Sequence, residues 1–344
     1  MAAVIRVRKS LSGPLGTRIL LLLGAAILIV LVGPRIVSEG PSFFLQILTY
    51  GFADGAIYAL VALGYTMVYG IIELINFAHG DVFTMGAVVS MPVMGAFGLA
   101  EGNAFGLSVG LTLVAVFFIV MFLTGVLNIF IERVAYRPLR NAPRLAPLIT
   151  AVGVSFILEG IMVLWIGNST VHYPDLLPDT RIPIGGTASI GTKDILVIIV
   201  AVILVVALTT FVNGTKLGKA MRATAQDREA AQLMGIDINR TIAATFFIGA
   251  ALAGAGGIVF GLYYNSINFQ LGFSAGLFAF TAAVFGGIGN IQGAALGGLF
   301  IGLVRAFSNG YLRAEWTDVW IFAILILVLV FRPTGLLGMR VPEK

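Results

Sequence analysis

The chain of 344 residues is 59% apolar and only 11% charged, with a formal net charge of +5. An average soluble domain is about 25% charged, and a disordered chain combines low hydrophobicity with high charge, so both classes are excluded. Long continuous apolar runs also exclude a transmembrane β-barrel, whose strands alternate. With no cysteine and two histidines, disulfides, thiolate metal sites and multi-histidine metal centres are excluded. The composition predicts an all-α polytopic membrane protein.

The apolar runs predict about nine or ten transmembrane helices, since one span needs about 20 apolar residues. In chain order the predicted spans are 19–32, 43–70, 82–99, 106–131, 146–166, 195–212, 242–263, 274–289, 291–308 and 316–331. The first has a basic flank and a short apolar run, as in a cleaved signal peptide, but no small-residue cleavage site follows. We therefore expect a retained anchor helix. The Pro-rich stretch 167–193 is expected to form an irregular external loop.

Lysine and arginine mark one side of the predicted membrane domain. Of the 21 basic residues, 16 lie in four segments that ten spans place on the same side: 1–18, 132–145, 213–241 and the tail from residue 332. Cytoplasmic loops carry such an excess of positive charge. The pattern predicts a multi-pass protein with both termini in the cytoplasm. It also explains the basic composition through contact with membrane lipid, without a nucleic-acid partner.

The loop 213–241 contains a short helix signal. Thr224 and Asp227 form an [ST]-x-x-[DE] capping pattern, good helix formers follow, and Gly235 suits the positive φ of a helix C-terminus. A helix over residues 225–234 is predicted, with Ala230, Leu233 and Met234 on one side. It is too short to be stable alone, so it is either a connector lying on the membrane helices or a docking helix for a cytoplasmic partner.

Two polar segments interrupt the apolar pattern, one in each half of the chain. The first, 75–81, holds Asn76 and His79, and the second, 286–293, holds Asn290 and Gln292 among four glycines. The first predicts either a cytoplasmic turn or a broken helix at a transport pathway. The second predicts a turn with close helix packing or, again, a broken helix. Paired broken helices suggest a possible inverted repeat.

Charged and aromatic residues within the spans are further candidates for a translocation path. Asp54 and Glu159 lie in apolar segments, where a carboxylate is costly and must face the bundle interior or an interface. Asp54 is placed either against the ammonium group of a ligand or in a structural hydrogen bond. Tyr58 either lines the path or packs in the core. The chain has no P-loop, since 214–220 has the wrong spacing, so any ATP-driven transport needs another subunit.

Several stretches resemble one known family. The pattern from Glu229 through Ala230 and Ala231 to Gly235 is similar to the coupling loop of bacterial ABC importer permeases. The stretches 58–81 and 279–298 resemble the permease subunit of branched-chain amino-acid ABC importers, and 132–140 and 332–338 fit the same family. The resemblance spans 43–338, so the domain division is an N-terminal tail with an additional anchor helix (1–42), a permease domain (43–338) and a cytoplasmic tail (339–344).

The resemblance implies a transport subunit of the bacterial inner membrane that moves leucine, isoleucine and valine, not an enzyme. It implies two cytoplasmic ATP-binding subunits, a second related permease subunit and an extracytoplasmic solute-binding protein. The chain itself would need no cofactor, metal or catalytic residue. The residues that would couple it to the ATPase are Thr224, Asp227, Glu229, Ala230, Ala231, Leu233 and Gly235. Alternatives are an importer of urea, amides or other amino acids, and an ion-coupled secondary transporter that uses Asp54 and Glu159.

Overall fold

The computed structural model describes residues 14–72, 76–100, 103, 105–140, 142–143, 145–332 and 334–338, with side chains from residue 33 onward. The predicted cytoplasmic segments 1–13 and 339–344 lie outside these residues. The helices are α1 (Pro14–Ile72), α2 (Ala78–Ala96), α3 (Leu107–Ile131), α4 (Leu145–Ile166), α5 (Thr192–Gly214), α6 (Lys216–Gln226), α7 (Arg228–Leu233), α8 (Ile238–Tyr264), α9 (Leu271–Gly286), α10 (Ile291–Tyr311) and α11 (Thr317–Phe331). A π-helical turn (Glu132–Tyr136) and two 3-10 turns (Arg137–Leu139 and Ala314–Trp316) complete the helical structure.

The all-α polytopic class is confirmed. Seven helical segments in the described part of the chain are long and apolar enough to cross a membrane: Gly33–Ile72, Leu107–Leu139, Leu145–Ile166, Thr192–Gly214, Ile238–Tyr264, Ile291–Tyr311 and Ala314–Phe331. Helix α9 is apolar but has only 16 residues, and α2 carries His79 and Asp81 in its first turn. Together these make nine helices of the predicted bundle.

The first two predicted spans are not separated by a loop. The range of α1 contains two helices that meet at a kink at Gly40 (φ 82°, ψ 169°), which lies six residues after Pro34 and directly before Pro41. A glycine adopts positive φ at little cost, and proline kinks a helix because it lacks the N–H donor. The predicted break at 33–42 is therefore a kink at which two helices meet, and not a loop.

Small residues bring the central helices into backbone contact. A Cβ atom built at Gly302 of α10 would overlap the backbone nitrogen of Gly55 in α1, and one at Gly257 of α8 would overlap the carbonyl oxygen of Phe83 in α2. The described parts of α1 and of α8 are mostly buried, whereas most residues of α4, α5 and α11 are exposed or only partly buried. In a membrane such small residues allow close packing, so α1, α2, α8 and α10 form the core and the exposed helices face lipid.

The two ends of the bundle differ in charge and secondary structure. The basic end carries Arg133, Arg137, Arg140, Lys216, Lys219, Arg222, Arg228 and Arg240. The opposite end carries two short antiparallel sheets, in which β1 (Val171–His172) pairs with β4 (Ser266–Ile267) and β2 (Arg181–Gly185) pairs with β3 (Ala188–Gly191). The stretch predicted to be irregular thus contains a β-hairpin, which hydrogen bonds tie to the start of the transmembrane part of α1, as from Arg181 to Tyr50 (3.0 Å).

Candidate functional site

The predicted coupling helix is two helices. Asp227 has an extended backbone and its carboxylate accepts a hydrogen bond from the backbone N–H of Ala230 (3.0 Å), so it is the N-cap of α7. Thr224 lies inside α6, where its hydroxyl donates to the carbonyl of Ala220. The prediction of one helix over 225–234 with Thr224 as its cap is therefore wrong. An aspartate that caps its own helix start ends the preceding helix, because the Ncap residue has non-helical backbone angles.

The C-terminus of α7 is as predicted. Gly235 has a φ of +82°, and the backbone N–H of Ile236 reaches back to the carbonyl of Ala231 (3.1 Å), which is the glycine-terminated helix end expected from the sequence. The segment is attached to the bundle by Arg228, whose guanidinium donates to the carbonyl of Ile71 at the end of α1 (2.8 Å). The coupling segment, Thr224–Gly235, therefore lies directly against the basic end of α1.

The apolar residues of α7 do not all pack on the bundle. Ala231 is buried, while Leu233 is 89% exposed and Met234 is 83% exposed. Glu229 and Ala230 are also exposed. The side of the segment that carries Leu233 and Met234 thus points away from the chain's own helices, and two large apolar side chains are exposed at this end.

The first polar segment begins inside the bundle. His79 is fully buried and lies against the backbone of Gly64, eight residues before the last residue of α1, or about 12 Å along the helix. Asn76 is buried and accepts a hydrogen bond from the hydroxyl of Tyr136 (2.6 Å), and the ring of Tyr65 meets His79 edge-on at 4.7 Å. The described residues of this segment are therefore buried among the helices and not exposed at a surface.

A buried carboxylate follows directly in the first turn of α2. Asp81 has no exposed surface, accepts a hydrogen bond from the hydroxyl of Ser155 in α4 and lies against Gly272 at the start of α9. Glu159 lies one turn beyond Ser155 and is half-buried. The carboxylate of Asp81 in α2, the hydroxyl of Ser155 in α4 and the start of α9 therefore lie together inside the bundle.

The second polar segment has the geometry of a turn. Gly287 and Gly289 have positive φ, and Asn290 is the N-cap of α10, accepting from the N–H of Gly293 (3.0 Å) and donating to the carbonyl of Leu337 (2.8 Å). Gln292 is exposed. Asn290 therefore serves as a helix cap in this structure, and the two polar segments do not have corresponding geometry.

Asp54 and Tyr58 belong to a third cluster, towards the opposite end from the basic one. Arg305 of α10 donates from Nη1 to Asp54 (2.7 Å) and to the hydroxyl of Tyr264 (3.0 Å). The Tyr264 hydroxyl in turn donates to the other carboxylate oxygen of Asp54. The guanidinium also lies over the rings of Tyr58 (5.8 Å) and Tyr264 (5.9 Å). We call Asp54, Tyr58, Tyr264 and Arg305 the outer cluster.

Half of the outer cluster, Tyr264 and Arg305, was not predicted from the sequence. Arg305 is a charge inside the predicted span 291–308, and the cost argument that singled out Asp54 applies to it equally. Tyr264 closes the predicted span 242–263 and carried no separate signal. The structure brings Asp54 and Tyr58 together with these two residues, whereas Asn76 and His79 lie deeper and Asn290 lies in a turn at the other end.

Comparisons with known proteins identify the family of the chain. The family model described as branched-chain amino acid transport system / permease component matches residues 47–329. The chain is similar to two proteins described as high-affinity branched-chain amino acid transport system permease proteins. LivH of Escherichia coli K12 is 44% identical over 89% of this chain and 99% of its own length, and BraD of Pseudomonas aeruginosa is 43% identical over 88% and 98%.

A third relative, a probable branched-chain amino acid transport permease protein of Methanocaldococcus jannaschii, is 26% identical over 89% of this chain and 93% of its own length. No solved structure matches the chain. The family match covers most of the chain and the two bacterial relatives align over nearly their full length, so the chain belongs to the family of permease components of branched-chain amino acid transport systems.

Proposed function

We propose that this chain is the transmembrane permease subunit of an ABC importer that carries leucine, isoleucine and valine into a bacterial cell. The observation that carries the proposal is the coupling segment, which presents Leu233 and Met234 to solvent while Arg228 holds it against α1. Exposed large apolar side chains grouped together are typical of an interaction site. An ATP-binding subunit docked there moves α7, and the Arg228 contact passes that movement to α1.

The other partners follow from the two ends of the bundle. The basic end faces the cytoplasm under the positive-inside rule, so two ATP-binding subunits meet it there, one on this chain and one on a second, related permease chain. The opposite end then faces the solute-binding protein. Its β-hairpin exposes Ile182 and Ile184, at 47% and 49%, and these side chains offer an apolar contact to that protein.

The translocation path runs beside α1, between the outer cluster and the polar segment at the start of α2. Tyr58 and Tyr65 lie two turns apart on α1, and their rings meet Phe278 (5.7 Å) and Phe280 (6.1 Å) of α9. A small apolar cavity lined by Tyr65, Tyr69, Phe280, Ala283 and Ile288 continues towards the basic end. This aromatic surface suits an aliphatic side chain, and it connects Asp54 and Tyr58 with Asn76 and His79.

The experiment is purification of the tagged chain in mild detergent from its native membrane, followed by identification of the co-purifying proteins. We expect a stoichiometric P-loop ATPase with the unaltered chain, and its loss with the double substitution Leu233→Asp and Met234→Asp. The control is Asn213→Asp, which places a new negative charge at an exposed position near the end of α5, outside the coupling segment, and keeps the ATPase bound. A chain that transports leucine with no ATPase attached contradicts the proposal and favours ion-coupled transport through Asp54.

A further inference from the structure

The outer cluster is built from three distant parts of the chain and is only partly shielded from water. Asp54 is on α1, Tyr264 is the last residue of α8 and Arg305 is six residues before the end of α10. The Arg305 side chain is 25% exposed and that of Asp54 is 10% exposed. The neighbouring Tyr263 donates to Asp194 (2.7 Å) at the start of α5. A solute arriving from the outer side therefore meets Arg305 before it reaches the aromatic surface below.

Arg305 has donors to spare. Both of its hydrogen bonds to described residues use Nη1. Nε and Nη2 make no hydrogen bond to a described residue, and they are not among the fully buried polar atoms that lack a partner, so both atoms are accessible. A guanidinium offers five N–H groups in a planar fork, and the edge formed by Nε and Nη2 matches the two oxygens of a carboxylate. The pair with Asp54 fixes the position of the guanidinium and leaves that edge accessible.

The surroundings of the cluster suit the rest of an amino acid. Asp54 has both oxygens engaged, yet each carboxylate oxygen accepts more than one hydrogen bond, so an ammonium group has an acceptor next to the guanidinium. The ring of Tyr58 meets Phe278 edge-on at 5.7 Å, and Phe278 lies 6.5 Å from Phe322 of α11. The Arg305 guanidinium and the Asp54 carboxylate therefore lie next to an apolar surface formed by the aromatic rings.

We infer that the outer cluster is an entry site for the amino acid, in which Arg305 binds the α-carboxylate through its Nε and Nη2 edge and Asp54 binds the α-ammonium group. Tyr264 and Tyr58 hold the guanidinium in place, and the aliphatic side chain lies on the wall of Tyr58 and Phe278. This inference rests on the proposed function, since it names the residues that receive the solute from the binding protein. The ligand class is a zwitterionic α-amino acid, and its carboxylate is the group that Arg305 recognises.

The first test measures binding to the assembled transporter in detergent without its solute-binding protein, by saturation-transfer difference NMR. The probes are L-leucine and L-leucinamide, which keeps the ammonium group and the side chain but lacks the carboxylate. We expect signal from leucine, little from leucinamide, and loss of the leucine signal in Arg305→Gln. Arg313→Gln is the matched control, because Arg313 is an exposed arginine at the same end of α10. Equal signals from the two probes, or no leucine signal from the unaltered transporter, overturn the inference.

The second test separates binding from a structural role of the ion pair. In proteoliposomes with the solute-binding protein, Arg305→Gln is expected to lower the leucine imported per ATP hydrolysed by about tenfold or more, as for a lost charge-assisted contact, while ATP hydrolysis continues. The double variant Asp54→Asn with Arg305→Gln removes both charges and leaves no unpaired buried charge. It should assemble normally and still import poorly. Import restored by the double variant would show that Arg305 only balances Asp54 and would overturn the inference. An unaltered transporter that binds leucine in this way but hydrolyses no ATP contradicts the proposed function alone.

Discussion

Glu132 and Asp54 are both buried carboxylates paired with arginine, but the two pairs are built in different ways. Glu132 has no exposed surface and its partners, Arg137 and Arg140, lie five and eight residues further along the chain. Asp54 takes its partners from residues 210 and 251 positions away. One pair is local and belongs to a corner of the chain, whereas the other joins three helices.

The difference distinguishes an ion pair that stabilises the fold from an ion pair that can bind a ligand. At Glu132, Arg137 binds both carboxylate oxygens (3.3 and 3.0 Å), and Arg140 binds Glu132 and Asn239, so the cluster ties the π-helical corner to the start of α8. At Asp54, the guanidinium partner keeps an accessible edge and stands over aromatic rings. Pairing between neighbours in the sequence at one corner of the chain indicates a fold element, and pairing between distant helices with an accessible guanidinium edge over aromatic rings indicates a place for a ligand.

The largest expected effect comes from separating the two helices that hold Asp54 and Arg305. A Leu side chain at Gly302 would overlap the backbone of Gly55 and Gly51, and overpacking of a tight contact costs about 1–3 kcal/mol or more. We expect Gly302→Leu to abolish leucine import and to lower the thermal midpoint of the purified chain by many degrees. Gly160→Leu is the control, because nothing lies within 4 Å of a Cβ at that position of α4. Import that survives in Gly302→Leu would mean that the outer cluster does not depend on the contact of α1 with α10.

Neutralising the local pair is expected to affect stability alone and not import. Glu132→Gln leaves two arginines at the basic end without their carboxylate, and removing one partner of a buried pair costs about 3–5 kcal/mol. The midpoint of thermal unfolding in detergent should fall clearly, while import per assembled transporter stays unchanged. Arg240→Gln, in an exposed pair with Asp237, should change the midpoint little. If Glu132→Gln unfolds normally but loses leucine binding, the division between structural pair and site is reversed.

The sequence predicted well what depends on local pattern. The apolar runs located the membrane helices, the basic segments marked one end, and Gly235 was assigned to a helix terminus because few other residues adopt positive φ readily. The helix break before α7 was misplaced, since Thr224 and Asp227 are both good N-caps. Only the path of the backbone decides which of them the chain uses.

The outer cluster could not be predicted in full because its partners are far apart in the chain. Asp54 was identified by the cost of a carboxylate in an apolar span, but nothing in its neighbourhood names Arg305 or Tyr264. The kink at Gly40 shows a similar limit. The sequence predicted two separate spans there, 19–32 and 43–70, yet two helices meet directly at the one residue with non-helical backbone angles.

A third paired carboxylate is more exposed than those of Glu132 and Asp54. Asp175 lies in the loop at the end opposite to the basic one, with its side chain 47% exposed, and accepts a hydrogen bond from the ammonium group of Lys193 (2.9 Å). That hydrogen bond lowers the pKa of the Asp175 carboxyl below its ordinary value. A lowered folded-state pKa stabilises the fold at a pH above the unfolded value, about 3.9 for aspartate, and this stabilisation is lost as the pH falls through the folded value.

We expect Asp175→Asn to lower the stability at pH 7 by at most about 1 kcal/mol, because water screens the half-exposed Asp175 carboxylate and the buried Lys193 ammonium group keeps its hydrogen bond to Asn265. The difference from the unaltered chain should shrink as the pH falls below about 4 and disappear once Asp175 is protonated in both states. Thermal unfolding in detergent from pH 7 to pH 3 measures this, with Asp179→Asn, an exposed carboxylate of the same loop, as the control. A difference that persists or grows at low pH would show that Asp175 acts through packing and not through its charge. The different exposure of the three carboxylates would then not explain why this pair contributes less to stability than those of Glu132 and Asp54.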